Sequence, residues 1–148
     1  SYLVVALSLF VFLSTHVYGQ PSGFVDEAFV GGFDVAIGVT FDANGRMYVW
    51  EKGGVVWIVE NGQKSATPLI DISEEVGNWR DFGLVGFTLD PNFLENGHIY
   101  LLYTVDLHYL KYFGTPTYDR NTNEYFKATI GRITRYTDKD ITGNREVE

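Results

Sequence analysis

Gly83-Leu84-Val85-Gly86-Phe87-Thr88-Leu89-Asp90-Pro91-Asn92, continued by Asn96-Gly97-His98-Ile99-Tyr100-Leu101, reads as a strand, a turn and a second strand. The first part alternates apolar with small residues and stops at Asp-Pro. The second follows Asn-Gly and is rich in apolar and aromatic side chains. The chain has already said this once. Residues 37–49 run Ile-Gly-Val-Thr-Phe-Asp-Ala-Asn-Gly-Arg-Met-Tyr-Val. Both copies spell apolar-Gly-apolar-Thr-apolar-Asp, a turn with Asn-Gly, then polar-apolar-Tyr-apolar. The offset from Ile37 to Val85 is 48 residues, and the second turn is the longer one. A repeat of that length marks a supersecondary unit that stacks on copies of itself.

Outward from the first copy, Glu51-Lys52-Gly53-Gly54 and Asn61-Gly62 are tight turns. They lead to strands expected at 55–59 and 68–72, the last an edge strand because Pro68 lacks a ladder donor. Four short antiparallel strands joined by Gly-rich hairpins make one propeller blade. The prediction is therefore an all-β chain, a β-propeller with about two four-stranded blades. A short strand is also expected within 24–30, and one helical turn at Glu74-Glu75-Val76 capped by Ser73. Gly38 and Gly86 are expected near the propeller axis, letting inner strands crowd together. In the second blade an insertion from Asp106 to Lys127 precedes a strand at 128–136. It carries Tyr109, Tyr112, Phe113, Tyr118, Tyr125 and Phe126. Such a loop either packs over the edge of its own blade or lines a pocket mouth and stacks on sugar rings.

Of the 148 residues, 45% are hydrophobic and 16% aromatic, enough for a globular core. A net charge of −8 repels a phosphate backbone, so nucleic acid is excluded as a partner. The absence of cysteine rules out disulfides and thiolate metal sites. Leu3 to Leu13 is an apolar run, and Val17-Tyr18-Gly19 precedes a plausible cut before Gln20. We expect residues 1–19 to be a signal peptide clipped at its start, not a transmembrane segment. The product is then secreted or periplasmic, with 20–148 the N-terminal part of a propeller domain incomplete at its C-terminus.

A family resemblance rests on three runs. They are Glu51-Lys52-Gly53-Gly54-Val55-Val56-Trp57-Ile58-Val59, Pro68-Leu69-Ile70-Asp71-Ile72-Ser73, and Asp81-Phe82-Gly83-Leu84-Val85-Gly86-Phe87 with Asp90-Pro91-Asn92-Phe93. In this order the chain resembles the glucose/sorbosone dehydrogenase family over roughly residues 30–137. The resemblance implies a six-bladed propeller that oxidises sugars at C1 with pyrroloquinoline quinone (PQQ) and Ca²⁺, the electron acceptor being undefined. It also implies that the family's catalytic His lies beyond Glu148, with the quinone-binding and calcium-binding residues further on. No metal ligand is assigned here. His98 and His108 match no family position and are read as solvated loop histidines.

One pocket-facing family position is present, two residues before Gly83. Sugar-oxidising relatives often carry Gln there, and this chain carries Asp81. Asp81 is the candidate sugar-binding residue. Arg80 beside it either contacts an anionic ligand or makes a surface ion pair with Asp81. The aspartate and the aromatic insertion also suit an alternative, a non-catalytic extracellular propeller that binds a glycan or protein ligand. A lactonase-type hydrolase would need carboxylate and Asn ligands converging on the axis. Asp42 and Asp90 are read instead as turn residues bonding backbone amides two residues on.

Overall fold

The computed structural model describes residues 21–140. The apolar run at 3–13 and the cut expected before Gln20 lie outside them. Two antiparallel sheets pack face to face. The first begins with β1 (Ala36–Phe41), β2 (Met47–Glu51) and β3 (Val55–Glu60), each returned by the turns that Gly45 and Gly54 open at positive φ. Here the outer edge departs from a single fourth strand. β4 (Gln63–Lys64) pairs with one end of β3, while β5 (Ile70–Asp71) pairs with the other. The break falls where the Ser65 hydroxyl bonds the Thr67 carbonyl at 2.7 Å and Pro68 has no N–H to offer the ladder.

The second sheet orders β6 (Leu84–Leu89), β7 (His98–Thr104) and β8 (Gly131–Thr137). It has three strands among the described residues, one fewer than expected. Both repeats carry the same irregularity: register slips between Ala36 and Gly38 on β1, and between Leu84 and Gly86 on β6. Each slip leaves one residue, Ile37 or Val85, bulged from the ladder. The repeat therefore extends to a backbone defect. β1 and β6, the first strands of their sheets, approach each other. The architecture is two blades of a β-propeller.

Expectations fail at four local points. Residues 24–30 form no strand, and Phe24, Val25 and Phe29 are exposed. The turn after β5 is held by the Glu75 and Val76 amides on the Ile72 carbonyl, while Asp71, not Ser73, receives an amide through its side chain. Two short helices appear that the strand pattern hid. α1 (Phe93–Asn96) accounts for the longer turn and ends at left-handed Gly97. α2 (Leu107–Tyr112) opens the insertion, where buried Asp106 accepts the Tyr109 N–H at 3.0 Å as its cap. Finally, the two strand glycines make room for a hairpin partner within their own sheet. A Cβ on Gly38 would lie 2.0 Å from the Trp50 indole, and one on Gly86 3.3 Å from Leu102 Cβ.

The core lies between the blades. Tyr48, Val56 and Ile58 of the first meet Leu84, Phe87, Ile99, Leu101 and Tyr103 of the second. The Phe87 ring sits 6.1 Å from Tyr48 and 5.8 Å from Trp50, centroid to centroid. Phe93 of α1 meets Tyr48 edge-on at 5.8 Å, so the longer turn supplies core as well as connection.

Candidate functional site

The strands have two ends of different chemistry. At one end, Asp42 and Asp90 close their turns in the same way. Oδ1 of Asp42 accepts the Asn44 N–H at 2.9 Å and Oδ2 accepts the Tyr48 hydroxyl at 3.0 Å. In the second blade, Asp90 takes the Asn92 N–H at 2.9 Å and the Tyr100 hydroxyl at 3.1 Å. The Asn92 amide, then the Asn96 side chain, hold the Asp90 carboxyl below its ordinary range. Burial first, and the bond to Asp42 second, push the Tyr48 hydroxyl up. A cleft of about 410 Å³ opens between these turns; two of its three carboxylates, Asp42 and Asp90, are engaged with backbone amides and tyrosine hydroxyls, and the third, Glu95, is exposed on α1. Asp42 and Asp90 are turn residues, as the spacing implied.

The other end holds Asp81, Arg80, the Lys-Gly-Gly turn and the return of the insertion. Gly83 clasps the blades together there: Leu84 donates to the Lys52 carbonyl at 2.8 Å. A Cβ on Gly83 would stand 2.8 Å from that same oxygen, so only glycine lets the two backbones meet. This contact sets Asp81, two residues earlier, at the entry to the strand that lies beside β1. Asp81 is exposed and makes no hydrogen bond or ion pair among the described residues.

The expected Arg80–Asp81 ion pair does not form. The Arg80 guanidinium carbon instead lies 4.8 Å from the centre of the Phe126 ring. Phe126 in turn packs 5.1 Å from Trp79, which lies 4.4 Å from Phe82. Arg80 and Phe126 both have left-handed backbone, at φ 49° and 60°. Val35, whose carbonyl accepts the Lys52 amide at this end, is at φ 48°. Non-glycine residues hold that region only when their surroundings impose it, and such strain gathers at functional sites.

Beside this platform a cleft of about 350 Å³ is lined by Asp34, Glu51, Asn78, Asn123 and Tyr125, among others. Glu51 is buried at the end of β2, and its Oε1 accepts the Asp34 N–H at 2.8 Å. Sequence reasoning missed Glu51, Asn78 and Asn123. The available signal was an acidic residue at an inward strand position next to the Gly-Gly turn. Carboxylates, amides and an aromatic ring around one opening form the donor and acceptor set of a hydroxyl-rich ligand.

The two halves of the insertion differ in what they touch. Its first half folds on itself and against the segment before β6: Tyr109 stacks on Phe113 at 4.3 Å, and Tyr118 donates to Glu74 at 2.9 Å. Burial, then Glu74, pushes the Tyr118 hydroxyl up to about 12. Its second half brings Tyr125 and Phe126 to the site. His108 is not solvated; it is buried, its Nε2 accepting the Asp119 N–H at 3.2 Å. His98 starts β7 at the opposite end, beside the Asp90 turn.

The described residues do not build a quinone and calcium site. No group of three or more His, Cys, Asp or Glu among them is placed to hold a metal ion. Asp81 is an exposed carboxylate, where an anionic quinone would need cations, and Arg80 is stacked on Phe126. No helix among them is long and apolar enough to cross a membrane.

No curated protein matches the sequence. Among solved structures, a Thermus thermophilus protein described as an oxidoreductase (glucose dehydrogenase) superposes with a TM-score of 0.56 at 20% identity. The match covers 78% of this chain and 28% of that one, so this chain spans under a third of its structural relative. At that identity the likeness speaks for the fold. The sequence model of glucose/sorbosone dehydrogenases matches residues 33–143, reaching from the approach to β1 past the end of β8. That span takes in both blades and the Gly83 clasp, and the chain belongs to the glucose/sorbosone dehydrogenase family.

Proposed function

We propose that this chain is part of an exported, PQQ-dependent sugar dehydrogenase that oxidises aldoses at C1, and that its mouth end forms one wall of the sugar site. The observation that carries the reading is Asp81. Its exposed carboxylate follows Arg80 of the Arg80–Phe126–Trp79 stack, whose chain neighbours Asn78 and Tyr125 line an acid- and amide-bearing cleft, within a chain of this family. A carboxylate accepts from two sugar hydroxyls, and a flat aromatic face covers the C–H side of a pyranose. PQQ and Ca²⁺, the cofactors implied by the family, would be held by residues other than those described. The work of residues 33–140 is to bind and orient substrate and to exclude water from its apolar face.

The full chain is titrated with a panel of aldoses while tryptophan emission is followed, Trp79 being the reporter. A saturable change is expected, weakened about tenfold, or roughly 1.4 kcal/mol, in Asp81→Ala. No saturable response to any aldose would overturn the assignment.

The second reading is a non-catalytic propeller that binds a glycan. It is favoured by the aspartate standing where sugar-oxidising relatives often carry Gln. Dye reduction with PQQ and Ca²⁺ on the longer protein separates the two. Sugar binding without dye reduction selects the binding module.

A further inference from the structure

The clefts at the two ends of the strands differ in what their polar groups already hold. At the turn end Asp42 and Asp90 are taken up by amides and tyrosine hydroxyls. The cleft of about 350 Å³ at the other end is built from two parts of this chain: Asp34, Glu51, Ser73 and Asn78 of the scaffold, and Asn123 and Tyr125 of the insertion. The side chains of Asp34, Ser73, Asn78, Asn123 and Tyr125 make no hydrogen bond or ion pair among the described residues.

Glu51 is the buried member of this set, only 6% exposed. One of its oxygens accepts the Asp34 N–H at 2.8 Å, and the other takes no partner among the described residues. Buried carboxylates are ordinarily paired with a cation or fully hydrogen-bonded. Yet no Lys, Arg or His among the described residues lines this cleft. Lys52 and Arg80, which flank it in sequence, are placed elsewhere. The Lys52 stem runs past Gly83, where a Cβ would stand 2.6 Å from Lys52 Cγ, and Arg80 lies over Phe126. Two carboxylates and two amides around one opening therefore suit an occupant that brings positive charge and several N–H or O–H donors. The aromatic stack is carried on the same two segments: Trp79 follows Asn78, and Phe126 follows Tyr125.

We propose that this cleft binds a protonated amine, with Glu51 as its buried acceptor, and that the ligand carrying it is an amino sugar. The ammonium is held by Glu51 and Asp34 while the ring lies on the Phe126–Trp79 face. The placement of the ring rests on the sugar reading given above; the demand for positive charge does not. An ammonium offers three donors, and its charge-assisted bonds to a desolvated carboxylate are stronger than those of the hydroxyl it replaces.

The full chain is titrated by calorimetry, at a pH where the amine is protonated, with glucose, 2-amino-2-deoxyglucose and the N-acetyl derivative. The last keeps the ring and loses the charge. The amino sugar is expected to bind about tenfold tighter than either of the others. Glu51→Gln keeps an oxygen for the Asp34 amide but removes the charge, and should shrink that ratio to about twofold or less. Asn78→Lys, at an exposed position on the rim, sets a fixed cation at the opening and should abolish the preference without touching the buried residue. Nα-acetyl-lysine amide and CaCl₂ probe other sources of positive charge, and neither is expected to compete. Competition by the lysine derivative would assign the cleft to a protein side chain, and competition by Ca²⁺ to a metal; either would overturn the amino sugar. Equal affinity for the three sugars, or a preference that survives both variants, would overturn the inference and leave the sugar reading standing. No saturable heat with any sugar would overturn both.

Discussion

The two ends of the strands differ in what their carboxylates are engaged with. At the turn end, Asp42 and Asp90 hold backbone amides and tyrosine hydroxyls in matching patterns, and the repeat is intact there down to single bonds. At the mouth end the repeat dissolves. One blade offers a Lys-Gly-Gly turn, the other Arg80 in a left-handed conformation between Trp79 and Asp81, and an insertion of aromatic residues. Groups that satisfy one another build a scaffold and leave little for a ligand. Groups left with open valence next to a constrained backbone, as Asp81 is beside Arg80, can bind one.

The sharpest way to break the comparison lies in the scaffold, where equivalent positions are not energetically equal. Gly38→Ala should cost about 3 kcal/mol, because its methyl meets a Trp50 ring already wedged against Phe87. Gly86→Ala should cost less than about 1 kcal/mol, since Leu102 has open space to yield into. Urea denaturation midpoints read the difference, and equal losses would mean the two glycines are equally enclosed.

A smaller contrast is expected at the paired tyrosines. Tyr48→Phe leaves an Asp42 acceptor short of a partner beside a fully buried ring and should lose about 1–2 kcal/mol. Tyr100→Phe, half-buried at the equivalent place, should lose under about 1 kcal/mol by the same measurement. If the order reversed, the turn end would not be the equivalent pair described here.

Acid probes the same end. The Asp90 carboxyl is depressed by the Asn92 amide, so its contribution to stability is fully present above the unfolded value of about 3.9. That contribution disappears as pH falls through the lower folded value. Denaturation midpoints should drop from about pH 5 downward, and Asp90→Asn should flatten part of that slope. An unchanged slope would show that the turn does not use the charge.

The mouth end should respond least in stability and most in ligand response. Arg80→Gly relieves left-handed strain while freeing the unfolded chain, and the two effects nearly offset to within about 1 kcal/mol. The aldose-dependent fluorescence change should fall nonetheless, because the guanidinium no longer holds Phe126. A large loss of stability with an intact sugar response would reverse the roles assigned to the two ends.

Much of the scaffold could be read from local spacing. The Asn-Gly turns, the Asp-to-amide bonds two residues on, and the matched strand glycines are short-range consequences of residue type. The helices α1 and α2 could not, since four- and six-residue segments between strands show no full helical period. His108 was misplaced for a related reason. Its burial depends on Tyr112, Tyr118 and the Asp119 amide, which the insertion gathers only by folding back on itself.

What the sequence by itself determined is the repeat, its all-β character, the turn chemistry and the position of Asp81 two residues before a required glycine. These follow from periodicity and from the few residues that tolerate special backbone. Only the tertiary structure decided that Arg80 turns away from Asp81 to stack on Phe126, 46 positions further along the chain. It also decided that Glu51, Asn78 and Asn123 share one cleft. Pairings of that kind are set by how two sheets pack across a common core, and local sequence carries no record of that distance.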